Sequence, residues 1–151
     1  MEPEENIRQA TVEDLDDLAR LFDEYRTFYR QPSDIEGARR FLLARFENNQ
    51  SVIFIATRNG SATGFVQLYP SFSSAAMARI FVLNDLFVAK EARRHGTGTA
   101  LLQKAAEYGK AVGALRLSLR TELTNATAQR LYQSLGWKRD EVFCGYELNV
   151  R

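Results

Sequence analysis

The residues of this chain with the clearest chemical potential lie in a short basic and glycine-rich segment, residues 93–99, which reads Arg-Arg-His-Gly-Thr-Gly-Thr. An extended apolar stretch precedes this segment, and a helical pattern follows it. The first backbone N–H groups of a helix have no intrahelical partner, and the helix dipole adds partial positive charge there. Gly96 and Gly98 let the main chain approach a ligand closely. The segment therefore predicts a phosphate or pyrophosphate site. The residues expected to form it are Arg93, Arg94, His95, Gly96, Thr97, Gly98 and Thr99.

Two common nucleotide-binding motifs do not fit this segment. A Walker loop needs Gly-Lys followed by Ser or Thr, and the Gly109-Lys110 pair precedes alanine. The dinucleotide fingerprint needs a third glycine where Leu101 stands. The pattern that does fit is R-x-x-G-x-G, with Arg93 and the two glycines that follow it.

A second motif lies downstream, within residues 125–137. It is similar to N-x-x-A-x-x-x-Y-x-x-x-G-[FW], filled by Asn125, Ala128, Tyr132, Gly136 and Trp137. With R-x-x-G-x-G at this spacing, the chain resembles the Gcn5-related N-acetyltransferase (GNAT) family, strongly from Ile80 to Val150 and in outline before that. The resemblance implies one α/β (α+β) domain over residues 1–151, with a mixed, mostly antiparallel central sheet flanked by helices on both faces.

The resemblance also implies acetyl-CoA as cofactor. Family members place the pantetheine arm beside the strand that precedes the loop, and the residues at that place are Leu86, Phe87 and Val88. The second motif adds Asn125, Ala128 and Tyr132. Simpler structural roles stay open, since the strand residues could be core, the glycine loop could be a turn before a helix, and Asn125 could be a helix N-cap.

Two residues are expected to move protons. Tyr132 matches the family's general acid, since a phenol with a pKa near ~10 can donate to a thiolate whose acid has a pKa near ~8.5. Asp85 is the candidate general base, because many relatives carry a carboxylate at this place in the strand before the cofactor-binding segment. Asn84 beside it departs from relatives that have Glu there, and an amide cannot accept the proton. The alternatives are a core role for Tyr132 and a water or another residue as base.

An aromatic set is expected to bind the acceptor amine, because aromatic faces attract ammonium groups. At helical spacing such residues are also typical of core packing. The set is Tyr25, Phe28, Tyr29, Tyr69 and Phe72. A small polyamine or amino acid is the first expectation for the acceptor, and an aminoglycoside, a protein N-terminus or a peptide lysine stays open. A non-catalytic acyl-CoA sensor or partner subunit is the alternative function.

Composition bounds the class of protein. The chain has 151 residues and a formal net charge of +1, which predicts one domain without a nucleic-acid or membrane surface. The lone Cys144 allows no internal disulfide, and the acidic N-terminal residues do not resemble a signal peptide. We therefore expect a cytoplasmic protein without a metal centre, and a homodimer in which residues 142–150 present a strand edge.

Sequence periodicity predicts the elements that must position these residues. Thr11 and Asp14 resemble a capping box before a helix that runs to about Tyr29, and Ser33 or Asp34 caps the next helix. Asn59-Gly60 is a hairpin signal. The predicted strands are residues 7–10, 51–57, 62–69, 77–88, 115–120 and 142–150, with a turn at residues 70–76 and a helix over residues 96–112.

Overall fold

The computed structural model of the chain describes residues 5–151. They form two compact units, one ending at Arg120 and one running from Thr121 to Arg151, and the single domain over residues 1–151 stays a prediction. The strands are β1 (Glu5–Gln9), β2 (Val52–Arg58), β3 (Ser61–Ser73), β4 (Ala78–Val88) and β5 (Leu117–Ser118). The helices are α1 (Leu15–Phe28), α2 (Ile35–Glu47), α3 (Thr97–Ala111) and α4 (Ala126–Ser134).

The five strands form one sheet in the order β1-β2-β3-β4-β5. The first four are antiparallel neighbours, and β5 is parallel to β4. Asn59 and Gly60 both have positive φ, at 52° and 78°, which is the conformation of the tight hairpin turn that the Asn-Gly pair predicts. The mixed, mostly antiparallel sheet is confirmed.

Helices cover both faces of this sheet. Ile53 and Ile55 of β2 belong to a hydrophobic cluster with side chains of α1 and α2. Phe54 stands between them, and its ring lies 5.5 Å from the ring of Tyr108 in α3. Successive side chains of a strand point to opposite faces, so α3 packs on the face opposite to α1 and α2. No helix formed by residues 5–151 combines the length and apolar character needed to cross a membrane.

Local side-chain bonds fix the entries to the first two helices. The Thr11 N–H donates to Asp14 Oδ2 at 2.9 Å, which confirms the capping box. Asp34 is the N-cap of α2, where its Oδ1 accepts from the Gly37 N–H at 2.9 Å. The buried Asp23 carboxylate accepts from Ser33 Oγ and from the Asp34 N–H, both at 2.7 Å. These bonds fix the turn that follows the aromatic end of α1.

The predicted turn at residues 70–76 is wrong at its start, because β3 continues to Ser73. Pro70 pairs with Phe81 of β4, and β2 reaches along β3 only to Leu68. Pro70 thus lies where β3 has a single neighbouring strand. Proline is tolerated there, because no second strand needs a hydrogen bond from its missing N–H. The turn comes at residues 74–77, and Met77 has φ 51°.

The unit from Thr121 to Arg151 contains α4 and no strand. The predicted strand at residues 142–150 is wrong, because these residues form no ladder within the described chain. The predicted strand at residues 115–120, in the first unit, is reduced to β5. A strand is defined by the bonds it makes to a neighbour, so an apolar alternation is not sufficient to produce one.

Candidate active site

The basic loop leads directly into the N-terminus of α3. Gly96 is the N-cap residue with φ 79°, a left-handed conformation that favours glycine. An added Cβ at Gly96 would meet no atom within 4 Å, so the space above the loop is open. Arg94 also has positive φ, at 71°. The loop thus contains two residues in the left-handed conformation just before α3. The first N–H groups of α3, which have no intrahelical acceptors, lie together at the end of this loop.

The side chain of Thr97 places a buried hydroxyl group at the start of α3. The residue is 2% exposed, and its Oγ1 is buried without a hydrogen-bond partner in the described part of the chain. Buried polar groups are normally bonded, and an unpaired one is costly. No side chain caps the helix either. An anion here would satisfy the amides and the hydroxyl together, so these residues fit the phosphate groups of a coenzyme.

The side chain of Arg93 turns back toward the preceding strand. Its Nε donates to the Val88 carbonyl at 3.0 Å, and its guanidinium lies 5.7 Å from the ring centroids of both Phe28 and Phe87. Arg93 therefore ties the loop to the end of β4 and to α1. Arg94 and His95 are exposed.

One edge of β4 is open beside this loop. On one side β4 pairs with β3 over its whole length. On the other side β5 pairs with Phe81 and Val82, and no described strand pairs with residues 83–88. The predicted cofactor strand, Leu86 to Val88, lies in this stretch, with Phe87 buried and its neighbours partly buried. An unpaired strand edge offers N–H and C=O groups to another extended chain or ligand.

Asp85 lies in the same stretch and is 4% exposed. Its Oδ2 accepts from Gln67 Nε2 at 2.7 Å, and its Oδ1 accepts from Asn84 Nδ2 at 3.0 Å. The Tyr25 hydroxyl lies near enough to the same carboxyl group to act on it as a donor and to lower its pKa. The register of β3 and β4 skips Asn84, which leaves it exposed on a bulge beside the buried Asp85.

The electrostatics of this cluster follow from its burial. Desolvation raises the pKa of Asp85, and the hydrogen bonds from Gln67, Tyr25 and Asn84 act in the opposite direction. Burial, followed by the nearby Asp85 charge, raises the pKa of Tyr69 to about 12 and raises the pKa of Tyr25 further. Both phenols are therefore protonated at neutral pH, and Asp85 holds its proton more strongly than an ordinary carboxyl group.

The structure brings together three of the five predicted acceptor-site aromatics. The Tyr25 and Tyr29 rings are 5.1 Å apart, and the Tyr29 and Phe28 rings are 5.2 Å apart. Tyr69 is close enough to Asp85 to sense its charge. Phe72 is 66% exposed and stacks on Arg79 at 4.4 Å, so it belongs to the end of the β3–β4 hairpin.

A model of the acetyltransferase (GNAT) family matches residues 18–137. The chain belongs to this family. It is 52% identical over 145 residues to an uncharacterized N-acetyltransferase, YhfO, of Bacillus subtilis (strain 168), covering 96% of this chain and 97% of that protein. The crystal structure of a probable acetyltransferase superposes with a TM-score of 0.92 at 42% identity, over 97% and 98% of the two chains. The aminoglycoside N-acetyltransferase AAC(6')-Iy, solved in complex with CoA, has the same fold, with a TM-score of 0.82 at 18% identity over 98% and 97%.

The second GNAT motif forms α4 and the turn after it. Asn125 is the N-cap of α4, and its Oδ1 accepts from the Ala128 N–H at 3.1 Å. The partly buried Tyr132 has its ring 6.1 Å from the Trp137 ring, and its carbonyl accepts from the Trp137 N–H at 3.0 Å. Gly136 has φ 91°, which permits this return of the chain. Asn125 thus has the structural role of a helix N-cap in this acetyltransferase.

Sequence reasoning missed two members of the cluster around Asp85. Gln67 was not singled out, although a fully buried amide within the apolar strand Gly-Phe-Val-Gln-Leu-Tyr is a recognisable signal. Tyr25 was predicted as an acceptor contact and not as a partner of Asp85. No signal in the sequence joins them, since they lie on different elements far apart along the chain.

Proposed function

We propose that the chain is an acetyl-CoA-dependent N-acetyltransferase that acetylates a primary amine by direct transfer in a ternary complex. The observation that carries this proposal is the open edge of β4 at residues 83–88, which leads through one loop to the N-terminus of α3. Such an edge suits an amide-containing arm, and the helix start suits phosphates. The buried Asp85 lies in the same strand.

Particular residues would hold the coenzyme. The main-chain groups of Leu86, Phe87 and Val88 would bind its extended arm, and the loop amides with Thr97 Oγ1 would bind its pyrophosphate. When bound, the coenzyme supplies an activated acetyl thioester. Arg93 supports this site from behind, through its bond to the Val88 carbonyl. The binding of CoA by a solved protein of the same fold supports the assignment.

Asp85 is the proposed general base, and Tyr132 is the proposed general acid. Asp85 accepts the proton of the incoming ammonium, a role that its burial favours because its pKa is raised toward the working range. Tyr132 suits the role of general acid, because a phenol O–H is a group that can donate a proton to the departing thiolate. A carboxylate surrounded by Tyr25, Tyr69 and amide groups favours a cationic amine, with a small polyamine or amino acid as the first class to test.

We also propose a homodimer. Five apolar side chains near the C-terminus, at positions 142, 143, 146, 148 and 150, are between 78% and 91% exposed. From Tyr146 to Val150 every second residue is apolar, the pattern of a strand that buries one face. A second copy of the chain supplies such a surface in the geometry that most homo-oligomers adopt.

The proposed function is tested by thiol release from acetyl-CoA over a panel of polyamines, amino acids, aminoglycosides and basic peptides, together with calorimetry of acetyl-CoA binding. We expect release that depends on one amine class and that is lost in Tyr132→Phe. Binding without release over the whole panel would favour the acyl-CoA sensor, and the absence of both would overturn the proposal.

Thr97→Val isolates the coenzyme site. It removes the unpaired Oγ1 at nearly constant shape, so the free protein should be no less stable, while acetyl-CoA binding weakens about 10-fold through the loss of one hydrogen bond to a charged group. Thr57→Val, on β2 outside the site, is the matched control. Equal affinity in the two variants would remove Thr97 from the site.

A further inference from the structure

The buried Asp85 carboxylate needs a route to the acceptor. The residue is 4% exposed, its oxygens already accept bonds from Gln67 and Asn84, and the Tyr25 hydroxyl lies near enough to the same carboxyl group to lower its pKa. We propose that Asp85 acts on the acceptor ammonium through the Tyr25 hydroxyl, so that Tyr25 contacts the substrate and Gln67 is the positioning residue that fixes the carboxylate. The inference rests on the proposed function and names the groups that recognise and deprotonate its substrate.

The choice of Tyr25 follows from the chemistry of the three partners. The Gln67 and Asn84 side chains each donate an amide N–H to Asp85. An amide nitrogen that donates in this way cannot also accept a proton from the substrate. A hydroxyl group can donate one hydrogen bond and accept another at the same oxygen. Gln67 is also fully buried, whereas Tyr25 is partly exposed. Tyr25 is therefore the partner able to connect the carboxylate to a ligand.

Packing holds the Tyr25 ring in place. Its centroid lies 5.1 Å from Tyr29 and about 6 Å from Phe22, Phe65 and Phe87, with three of these contacts edge-on or steeply tilted. These neighbours come from α1, β3 and β4, so the hydroxyl is aimed by three elements. A proton route requires this kind of fixed geometry.

Other titratable and charged groups also face this cluster. Tyr69 approaches from β3, and burial raises the pKa of its phenol, so it is uncharged at neutral pH. Tyr29, the C-cap of α1, also acts on Tyr25. Arg45 of α2 acts on Tyr69, and the Arg93 guanidinium lies 5.7 Å from the Phe87 ring centroid. Asp85 is thus the anion among the groups that act directly on Tyr25, and a cationic amine is the ligand that complements it.

The proposed step conserves protons and charge. One N–H bond of the acceptor ammonium breaks as its proton passes to the Tyr25 oxygen, and the Tyr25 O–H bond breaks as that proton passes to Asp85. The products are a neutral amine with a free lone pair, an intact tyrosine and a neutral carboxyl group. The two transfers are concerted, because burial makes a free tyrosinate unfavourable. Asp85 returns its proton to solvent by the same route.

The kinetic test compares Tyr25→Phe with Tyr108→Phe, a variant on α3 whose ring packs on Phe54 and Phe81. Tyr25→Phe keeps the ring contacts and should lower kcat/KM for the accepted amine about 100-fold at neutral pH, the usual effect of losing an acid–base group. The loss should shrink about tenfold for each pH unit toward the amine's own pKa near ~10, as free amine replaces ammonium. Acetyl-CoA affinity should not change. A loss that alkaline pH fails to recover, or no loss at all, would overturn the relay.

A second test needs no turnover. Isotope-labelled aspartate carboxyl groups are followed by NMR during addition of spermidine, with the Asp85 signal assigned from Asp85→Asn. We expect spermidine to move the Asp85 signal in the wild-type protein and to move it little in Tyr25→Phe. Equal movement in both proteins would mean that the carboxylate meets the amine without Tyr25, and no movement in either would mean that this is not an ammonium site. Failure of the thiol-release assay would be a separate result.

Gln67→Met tests the positioning residue. The Gln67 bond lowers the pKa of Asp85, so its loss should move the acidic limb of the kcat/KM profile to higher pH while the KM for acetyl-CoA stays constant. An unchanged limb would remove Gln67 from the proposal.

Discussion

The charge of a single residue, Asp85, affects stability and the proposed activity of this acetyltransferase in opposite directions. Burial raises its pKa above the ordinary value, so the folded chain holds the Asp85 proton more tightly than the unfolded chain. The free energy of unfolding contributed by this group is fully present below a pH of about 3.9 and falls as pH rises through the raised pKa. Above the raised pKa, the charged carboxylate therefore destabilises the fold at the place where the proposed chemistry needs it.

Asp85→Asn should separate these two effects. An amide at this position carries no charge, and its N–H can donate to Gln67 Oε1, which has no partner in the described chain. We expect a higher Tm above neutral pH, by roughly 2–4 °C for each kcal/mol gained, and a flatter dependence of Tm on pH. Acetyl transfer should fall at least about 100-fold. Calorimetric melting over a pH series and the thiol-release assay measure the two quantities.

The control for this substitution is Asp17→Asn, on the exposed face of α1. A surface change of this kind should alter the stability by no more than about 0.5 kcal/mol at any pH. A lower Tm for Asp85→Asn at alkaline pH would show that the carboxylate stabilises the fold, contrary to the direction argued here.

At the residue scale, the sequence predicts the groups that lie within one contiguous motif. Gly96 and Thr97 are recognisable because a loop and a helix start are local structures. The partner of Asp85 on β3, Gln67, is 18 residues away and is brought to it by strand pairing. Tyr25 comes from α1, which packs on the sheet through tertiary contacts. Register and packing are not visible in one sequence, so the motif predicts Asp85 but not its surroundings.

At the element scale, the close contact of β3 with β4 and α3 makes Gly64 sensitive to substitution. Gly64 pairs with Val88, and a Cβ added to it would lie 2.7 Å from the Phe87 carbonyl oxygen and 3.3 Å from Leu101 Cδ1. The carbonyl belongs to the backbone of β4 and cannot turn away. We expect Gly64→Ala to lower stability by about 1–3 kcal/mol and to weaken acetyl-CoA binding, because the shifted strand is the proposed cofactor strand. Thermal melting and calorimetry measure both.

Gly109→Ala is the matched control within α3. Its added Cβ would lie 3.2 Å from the end of the Leu117 side chain, which can move. Alanine also favours the helix by about 1 kcal/mol over glycine, so this variant should match or exceed the stability of the wild type. If Gly64→Ala were as stable as Gly109→Ala, the strands would be more adaptable than the contact distances indicate.

The elements also show where periodicity fails. Alternation and turn residues predicted the β2–β3 hairpin, because the Asn59-Gly60 turn encodes its own conformation. Pro70 was assigned to a turn, but it is tolerated in β3 beyond the end of β2. Residues 142–150 have the composition of a strand, but they form no strand ladder within the described chain. Strand content depends on partners, which the sequence alone does not locate.

At the scale of the whole molecule, the exposed apolar side chains of residues 142–150 support the proposed homodimer. Leu148 and Tyr146 are 86% and 91% exposed, and exposed apolar side chains that lie close together in a segment are typical of interaction sites. The net charge of +1 gives little repulsion between copies. A strand that pairs across a two-fold axis would satisfy its backbone groups and cover its apolar face at once.

Leu148→Lys should therefore convert a dimer to a monomer. The substitution places a charge within the proposed intermolecular strand, and charged residues oppose strand pairing at an edge. Met77→Lys is the control, because Met77 is also 91% exposed but lies in the β3–β4 turn. Light scattering at micromolar concentration should give a dimer mass for the wild type and Met77→Lys, and a monomer mass for Leu148→Lys. Amide exchange of residues 142–150 should be slow in the two dimers and fast in the monomer, because backbone pairing protects amides. A wild-type monomer with fast exchange would leave this segment without a partner and would contradict the dimer.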